Sequence, residues 1–98
     1  MRAQLREQVT TIIARIPSGR VTTYGRIAKM TEGATARSVG AVLRTLPAGH
    51  QLPWYRVVAA GGRLADHEGA VEQRQQLAAE GIMFDERGRI PSHYFWPD

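Results

Sequence analysis

Thr35-Ala36-Arg37-Ser38-Val39-Gly40-Ala41-Val42-Leu43-Arg44-Thr45-Leu46 is the stretch on which the fold turns. Val39, Val42, Leu43 and Leu46 recur at helical spacing and make one apolar face, and Thr35 stands where an N-cap belongs. The other face carries Ala36, Arg37, Gly40, Ala41 and Arg44. Glycine inside a helix costs about 1 kcal/mol against alanine. Placed one turn after Ala36, it leaves a smooth face on which something can approach the backbone closely. Upstream, Glu32-Gly33-Ala34 reads as a turn and Thr23 as the cap of an earlier helix running to about Met30, with Tyr24, Ile27, Ala28 and Met30 on it. Two short helices joined by a tight turn, the second small-faced and arginine-bearing, form a helix-turn-helix pattern over about 24–46, a pattern shared by many small helical domains.

The flanks extend this unit. Leu5, Val9, Ile12, Ile13 and Ile16 predict an amphipathic helix over 2–16, stopped by Pro17-Ser18-Gly19, with Arg20-Val21-Thr22 as a short extended piece. After a loop from Pro47 to Pro53, Pro53-Trp54-Tyr55-Arg56-Val57-Val58 reads as a turn delivering large rings at the mouth of a strand, or as a core strand whose aromatics fill the interior. Ala59 to Leu64 suggests a hairpin or wing. Gly69 to about Glu80 reads as a polar helix with Val71, Leu77 and Ala78 inward and Gly81 at its end. Ile82-Met83-Phe84 resembles a strand, Asp85-Glu86-Arg87-Gly88 a turn and Arg89-Ile90 its partner, before an aromatic tail over 93–98 packed on the core. The expected architecture is one domain over 1–98, mainly α with a small β-hairpin or wing: a winged helix-turn-helix.

Composition narrows the function. At 98 residues the chain suits one core able to fold unaided. No apolar run can span a bilayer and no leader pattern is present, so a soluble, cytoplasmic protein of bacterial type, acting at the nucleoid, is expected, without a membrane partner. Without cysteine there is no thiolate nucleophile, thiolate metal site or redox pair. Lys29 is the one lysine among 13 basic residues, and the net charge of +4 favours a polyanionic partner, although a GC-rich genome also enriches arginine. Ser18, Ser38 and Ser92 lie outside any nucleophile-elbow context, and His50, His67 and His93 lack ligand spacing, so neither a metal nor a cofactor is expected. Glu68, Glu72 and Glu80 read as solvated helix charges rather than an acid/base pair.

Taken together, Tyr24, Arg37 and the Pro53–Val58 segment carry a resemblance to the DNA-binding domain of the O6-alkylguanine-DNA alkyltransferases, and more closely to their cysteine-lacking relatives, the alkyltransferase-like proteins. Gly19-Arg20-Val21-Thr22-Thr23-Tyr24-Gly25-Arg26-Ile27-Ala28 is similar to that family's entry to the helix-turn-helix, and Ala36-Arg37-Ser38-Val39-Gly40 to its recognition helix. Pro53-Trp54-Tyr55-Arg56-Val57-Val58 stands where the family has its reactive Pro-Cys-His-Arg-Val segment. Glu72-Gln73-Arg74-Gln75, Leu77 and Glu80-Gly81 match the helix that follows.

The resemblance implies a non-enzymatic sensor that binds O6-alkylguanine in duplex DNA through the minor groove, flips the base and flags it for nucleotide-excision-repair proteins. Alkyl transfer needs a low-pKa thiolate, and Trp54 stands at the cysteine position; an indole N–H only donates, and the Tyr55 phenol is a poor nucleophile at neutral pH. Tyr55 is itself a departure, since relatives more often keep histidine or glutamine there. Arg37 matches the arginine that enters the base stack, Tyr24 the tyrosine at the 3′ phosphate, and Ala36, Gly40 and Ala41 the small face laid in the groove. Pro53, Trp54, Tyr55 and Val57 would line the lesion pocket, with Asp66, His67 and Glu68 on the loop that closes it. Arg56 would brace the turn internally, and Glu80 would align with the family's relay glutamate without a thiol to activate. The protein is expected to act as a monomer. The alternative is a winged-helix transcriptional regulator reading the major groove, a reading weakened by the small residues between Arg37 and Arg44.

Overall fold

The computed structural model describes residues 2–64 and 69–98. Helix α1 spans Arg2–Arg15, strand β1 Thr22–Thr23, helix α2 Tyr24–Lys29, helix α3 Ala36–Arg44, strand β2 Val57–Val58 and helix α4 Ala70–Ala79, with short 3-10 turns at Trp54–Arg56 and Ser92–Tyr94. None of the described helices is long and apolar enough to cross a membrane.

The helix starts are set by local chemistry. The Thr23 side chain accepts a hydrogen bond from the Arg26 amide at 3.0 Å, capping α2. Thr35 and Ser38 form a reciprocal capping box on α3, at 3.1 Å and 2.9 Å. Each cap satisfies an amide that the first helical turn leaves unpaired, worth about 1 kcal/mol.

Two apolar cores lie on either side of a minimal sheet. β1 and β2 pair in parallel, Thr22 with Val57 and Thr23 with Val58. Because successive strand side chains point to opposite faces, Val57 enters a core built from Val9, Ile13, Ile16, Ile27, Ala28, Val39 and Val42, while Val58 enters a second core with Val21, Leu77, Ile82 and Ile90. The helix-turn-helix therefore rests on one core and the C-terminal half on the other. The tail adds to the β1 edge: the Val21 amide donates to the Tyr94 carbonyl at 3.0 Å and the Trp96 amide to the Val21 carbonyl at 2.7 Å. Arg20 donates to the Tyr94 carbonyl at 3.0 Å and pairs with Asp98, and Arg26 donates to the Pro97 carbonyl at 2.8 Å while lying over the Phe95 ring.

The mainly helical class, the caps and the packed tail match the sequence expectations; three details differ. The sheet comes from chain segments 35 residues apart, not from a hairpin at 59–64. That segment is a tight turn in which Gly61 and Gly62 have φ of 77° and 82°, and a Cβ on Gly62 would fall 2.3 Å from the Ile90 carbonyl oxygen. The turn therefore docks on Ile90, whose amide donates to the Gly62 carbonyl at 2.9 Å. Residues 82–84 and 89–90 flank the expected turn without forming a strand pair, since Ile90 is already bonded to Gly62. On α4 the inward residues are Gln73 and Leu77; Val71 is 70% exposed and Ala78 is exposed, because the face one turn apart is the one that meets the carbonyls of the Trp54 turn.

Candidate nucleic-acid interface

Helix α3 turns its small side chains outward. Val39 and Val42 are buried, whereas Ala36, Arg37 and Ala41 are exposed and Gly40 is partly so. The smooth face is thus not used for helix packing within the described residues. Between residues 20 and 46 the chain carries five basic side chains and one acid, Glu32. Arg20 and Arg26 are tied to the tail; Lys29, Arg37 and Arg44 make no hydrogen bond or ion pair among the described residues. Tyr24 opens α2 and packs half-buried against the first core. Burial pushes its phenol above the usual range, and the Arg44 charge opposes that shift.

The second constellation is the turn at Trp54. Pro53 precedes it, the Trp54 amide donates to the Leu52 carbonyl at 2.8 Å, and the Arg56 amide to the Pro53 carbonyl at 3.0 Å. Trp54 and Tyr55 meet edge to face with centroids 6.0 Å apart. Neither ring is fully buried, so the segment is not a core strand filled with aromatics. The Tyr55 hydroxyl donates to Glu80 Oε2 at 3.1 Å. Arg56 Nε donates to both Glu80 oxygens at 3.0 Å, Nη2 pairs with Oε2, and Nη1 donates to the Ile16 carbonyl at 2.8 Å. The Gly19 amide donates to Glu80 Oε1 at 2.9 Å. Burial pushes the Glu80 carboxyl up, but the bonds from Arg56, Gly19 and Tyr55 outweigh it and hold the group below the usual carboxylate range. The Tyr55 phenol is raised by burial and by donation to Glu80.

Arg56 is thus an internal brace, as expected from the sequence. Glu80 is not the solvated helix charge that its position suggested; its side chain is 12% exposed and ties together the turn after α1, the Trp54 turn and the end of α4. Val57, expected in the lesion pocket, is 1% exposed and belongs to the first core, so it backs the turn and is not a surface contact. Asp66, His67 and Glu68 lie outside the described residues.

Gln73 was missed as a site residue. Its Nε2 donates to the Tyr55 and Val57 carbonyls at 3.2 Å and 2.9 Å, stitching α4 to the turn, while its Oε1 is buried without a partner among the described residues. The available signal was a glutamine four residues before Leu77, on the same helix face. Among the described residues no group of three His, Asp or Glu side chains could hold a metal ion. Among the described residues the arrangement presents an uncovered basic helix face and a tryptophan on a turn braced through Tyr55 and Arg56.

Residues 4–82 match the family of the 6-O-methylguanine DNA methyltransferase, DNA binding domain. The chain is 44% identical over 93 residues to a DNA base-flipping protein of Escherichia coli, covering 92% of this chain and 72% of that protein. It is 36% identical over 74 residues to alkyltransferase-like protein 1 of Schizosaccharomyces pombe, covering 71% and 68%. The structure of S. pombe Atl1 in complex with damaged DNA containing O6-carboxymethylguanine superposes with a TM-score of 0.85 at 27% identity, covering 98% of this chain and 97% of that one.

Proposed function

This chain belongs to the family of the 6-O-methylguanine DNA methyltransferase DNA-binding domain, and from that premise we propose that it senses O6-alkylguanine in duplex DNA without repairing it. The observation that carries the reading is Trp54, at the family's cysteine position, on a turn braced by Tyr55, Arg56, Gln73 and Glu80. The chain contains no cysteine to accept an alkyl group. The Glu80 carboxylate is engaged by Arg56, Tyr55 and Gly19, so it prepares no nucleophile.

On this reading α3 lies in the minor groove, where Ala36, Gly40 and Ala41 allow close approach. Arg37 enters the base stack in place of the target nucleotide, and a guanidinium plane stacking on bases repays part of the few kcal/mol that extrusion costs. Tyr24 contacts the backbone beside that nucleotide. The flipped base meets Trp54, whose apolar face suits an alkylated purine, with Pro53 and Tyr55 beside it and Asp66, His67 and Glu68 on the closing loop. Residues 1–98 then act as one DNA-binding unit, a cytoplasmic monomer that holds the lesion for nucleotide-excision-repair proteins. A regulator reading the major groove would need base-reading side chains at successive outward positions of α3, where this chain has Gly40 and Ala41 between Arg37 and Arg44.

The test is binding at fixed salt to matched duplexes with and without one O6-methylguanine, followed by mass analysis of the recovered DNA. Strong preference for the modified duplex with its methyl group retained is the expected result. Equal affinity for both duplexes, or loss of the methyl group, overturns the reading.

A further inference from the structure

We propose that Tyr55 is the positioning residue for Trp54: it holds the indole in the orientation that a flipped base meets, and so sets the preference for damaged over undamaged duplex. The inference rests on the sensor reading for what Trp54 meets. Trp54 is held unevenly. Its backbone is fixed on both sides, since its amide donates to the Leu52 carbonyl at 2.8 Å and its carbonyl accepts from the Val57 amide. Its ring is not. Among the described residues the indole N–H makes no hydrogen bond, the side chain belongs to neither apolar core, and the ring it meets is that of Tyr55. Their centroids stand 6.0 Å apart at 85°, the separation and angle of an edge-to-face pair. With its backbone fixed, an indole keeps two side-chain torsions, and Tyr55 is the aromatic neighbour that restricts them.

Tyr55, by contrast, is held at its tip, its ring and its backbone. The hydroxyl donates to Glu80 Oε2 at 3.1 Å, and that carboxylate is itself fixed by Arg56 and by the Gly19 amide. The Arg56 guanidinium lies over the phenol ring, 5.4 Å from its centroid, and the ring packs against the second core. The carbonyl takes Gln73 Nε2 at 3.2 Å. Burial and the bond to Glu80 raise the phenol above its ordinary value, so it stays a donor throughout the neutral range. With the hydroxyl spent on Glu80 and the guanidinium over the ring, Tyr55 is poorly placed to read a base itself. The restraint passes instead from Glu80 through the phenol ring to the indole.

A ring that is loose in the free protein must be ordered when a base stacks on it. A ring held beforehand avoids that cost, about two- to tenfold in affinity for one side chain. A base still in the duplex does not reach Trp54 on the sensor reading. The gain therefore goes to the lesion duplex, while undamaged duplex is bound through the α3 face alone.

The experiment compares wild type, Tyr55→Phe and Tyr55→Leu by fluorine NMR after fluorotryptophan labelling, which gives one resonance each for Trp54 and Trp96, the two tryptophans of the chain. In Tyr55→Leu the Trp54 resonance should move toward the position and linewidth of a free indole, with Tyr55→Phe between. Trp96, packed on the first core, is the internal reference. Affinity for the O6-methylguanine duplex should fall roughly tenfold in Tyr55→Leu and about threefold in Tyr55→Phe, with affinity for unmodified duplex unchanged. In a Trp54→Ala background Tyr55→Leu should cost nothing further, because it acts through the indole. Circular dichroism checks folding, and Tyr55→Phe, which keeps the ring, carries the test if Tyr55→Leu does not fold. An unmoved Trp54 resonance, equal weakening of both duplexes, or the same loss in the Trp54→Ala background overturns the proposal; the last would mean that Tyr55 touches the base itself. Equal binding of wild type to both duplexes would sink the sensor reading, and the fluorine spectra would still decide whether Tyr55 holds Trp54.

Discussion

Arg37 and Arg56 stand in opposite circumstances. On α3, Arg37 is exposed and bound to nothing among the described residues, on a face of small side chains. At the Trp54 turn, Arg56 is 15% exposed on its side chain and engaged by Glu80 and the Ile16 carbonyl. One arginine keeps its charge available for a partner; the other uses its charge to hold backbone segments together. On the proposed reading Arg37 belongs to the binding face, while the part-buried and paired Arg56 belongs to the scaffold behind the Trp54 turn.

That contrast can be broken most directly at Arg37. Arg37→Ala should cost on the order of a hundredfold in preference for the O6-methylguanine duplex, the few kcal/mol of extrusion no longer repaid. Its unfolding free energy in urea should move by less than about 0.5 kcal/mol. The scaffold side should show the reverse. Glu80→Ala leaves a part-buried guanidinium without its carboxylate and should destabilise the fold by about 1–3 kcal/mol in the same measurement.

Acidification sharpens the same point. Glu80 has its folded pKa lowered from the ordinary value of 4.5, so its contribution is complete above that range and is lost as pH falls through the lower folded value. The stability advantage of wild type over Glu80→Gln should therefore be constant near neutrality and shrink below about pH 4. Tyr55→Phe removes one donor from Glu80 and should cost about 1 kcal/mol. Smallest of all, Val71→Ser, at a position read as inward from the sequence yet 70% exposed, should change stability by less than about 0.5 kcal/mol.

The helix-turn-helix was legible because its determinants are local. Thr23 and Thr35 cap amides three residues away, and Val39 and Val42 mark the buried face by spacing alone. The C-terminal half was less legible. Nothing in the pattern of 82–90 indicates that Ile90 bonds to Gly62, and α4 has a weak apolar face whose key inward residue, Gln73, is polar. Glu80 at a helix end has the appearance of a solvated charge until Arg56 and Gly19 are brought to it.

By itself the sequence determined the caps, the amphipathic helices, the basic composition and the lack of a thiolate, since each depends on residue identity or on neighbours within one helical turn. Tertiary structure alone decided which charges are free and which are bound. The Tyr55–Glu80 and Gly19–Glu80 contacts close loops of 25 and 61 residues, and the parallel β1–β2 pair separates Val57 from Val58 into different cores. Contacts of that span form only when burial of both cores offsets the entropy of closing the chain, and no short stretch of sequence records that balance.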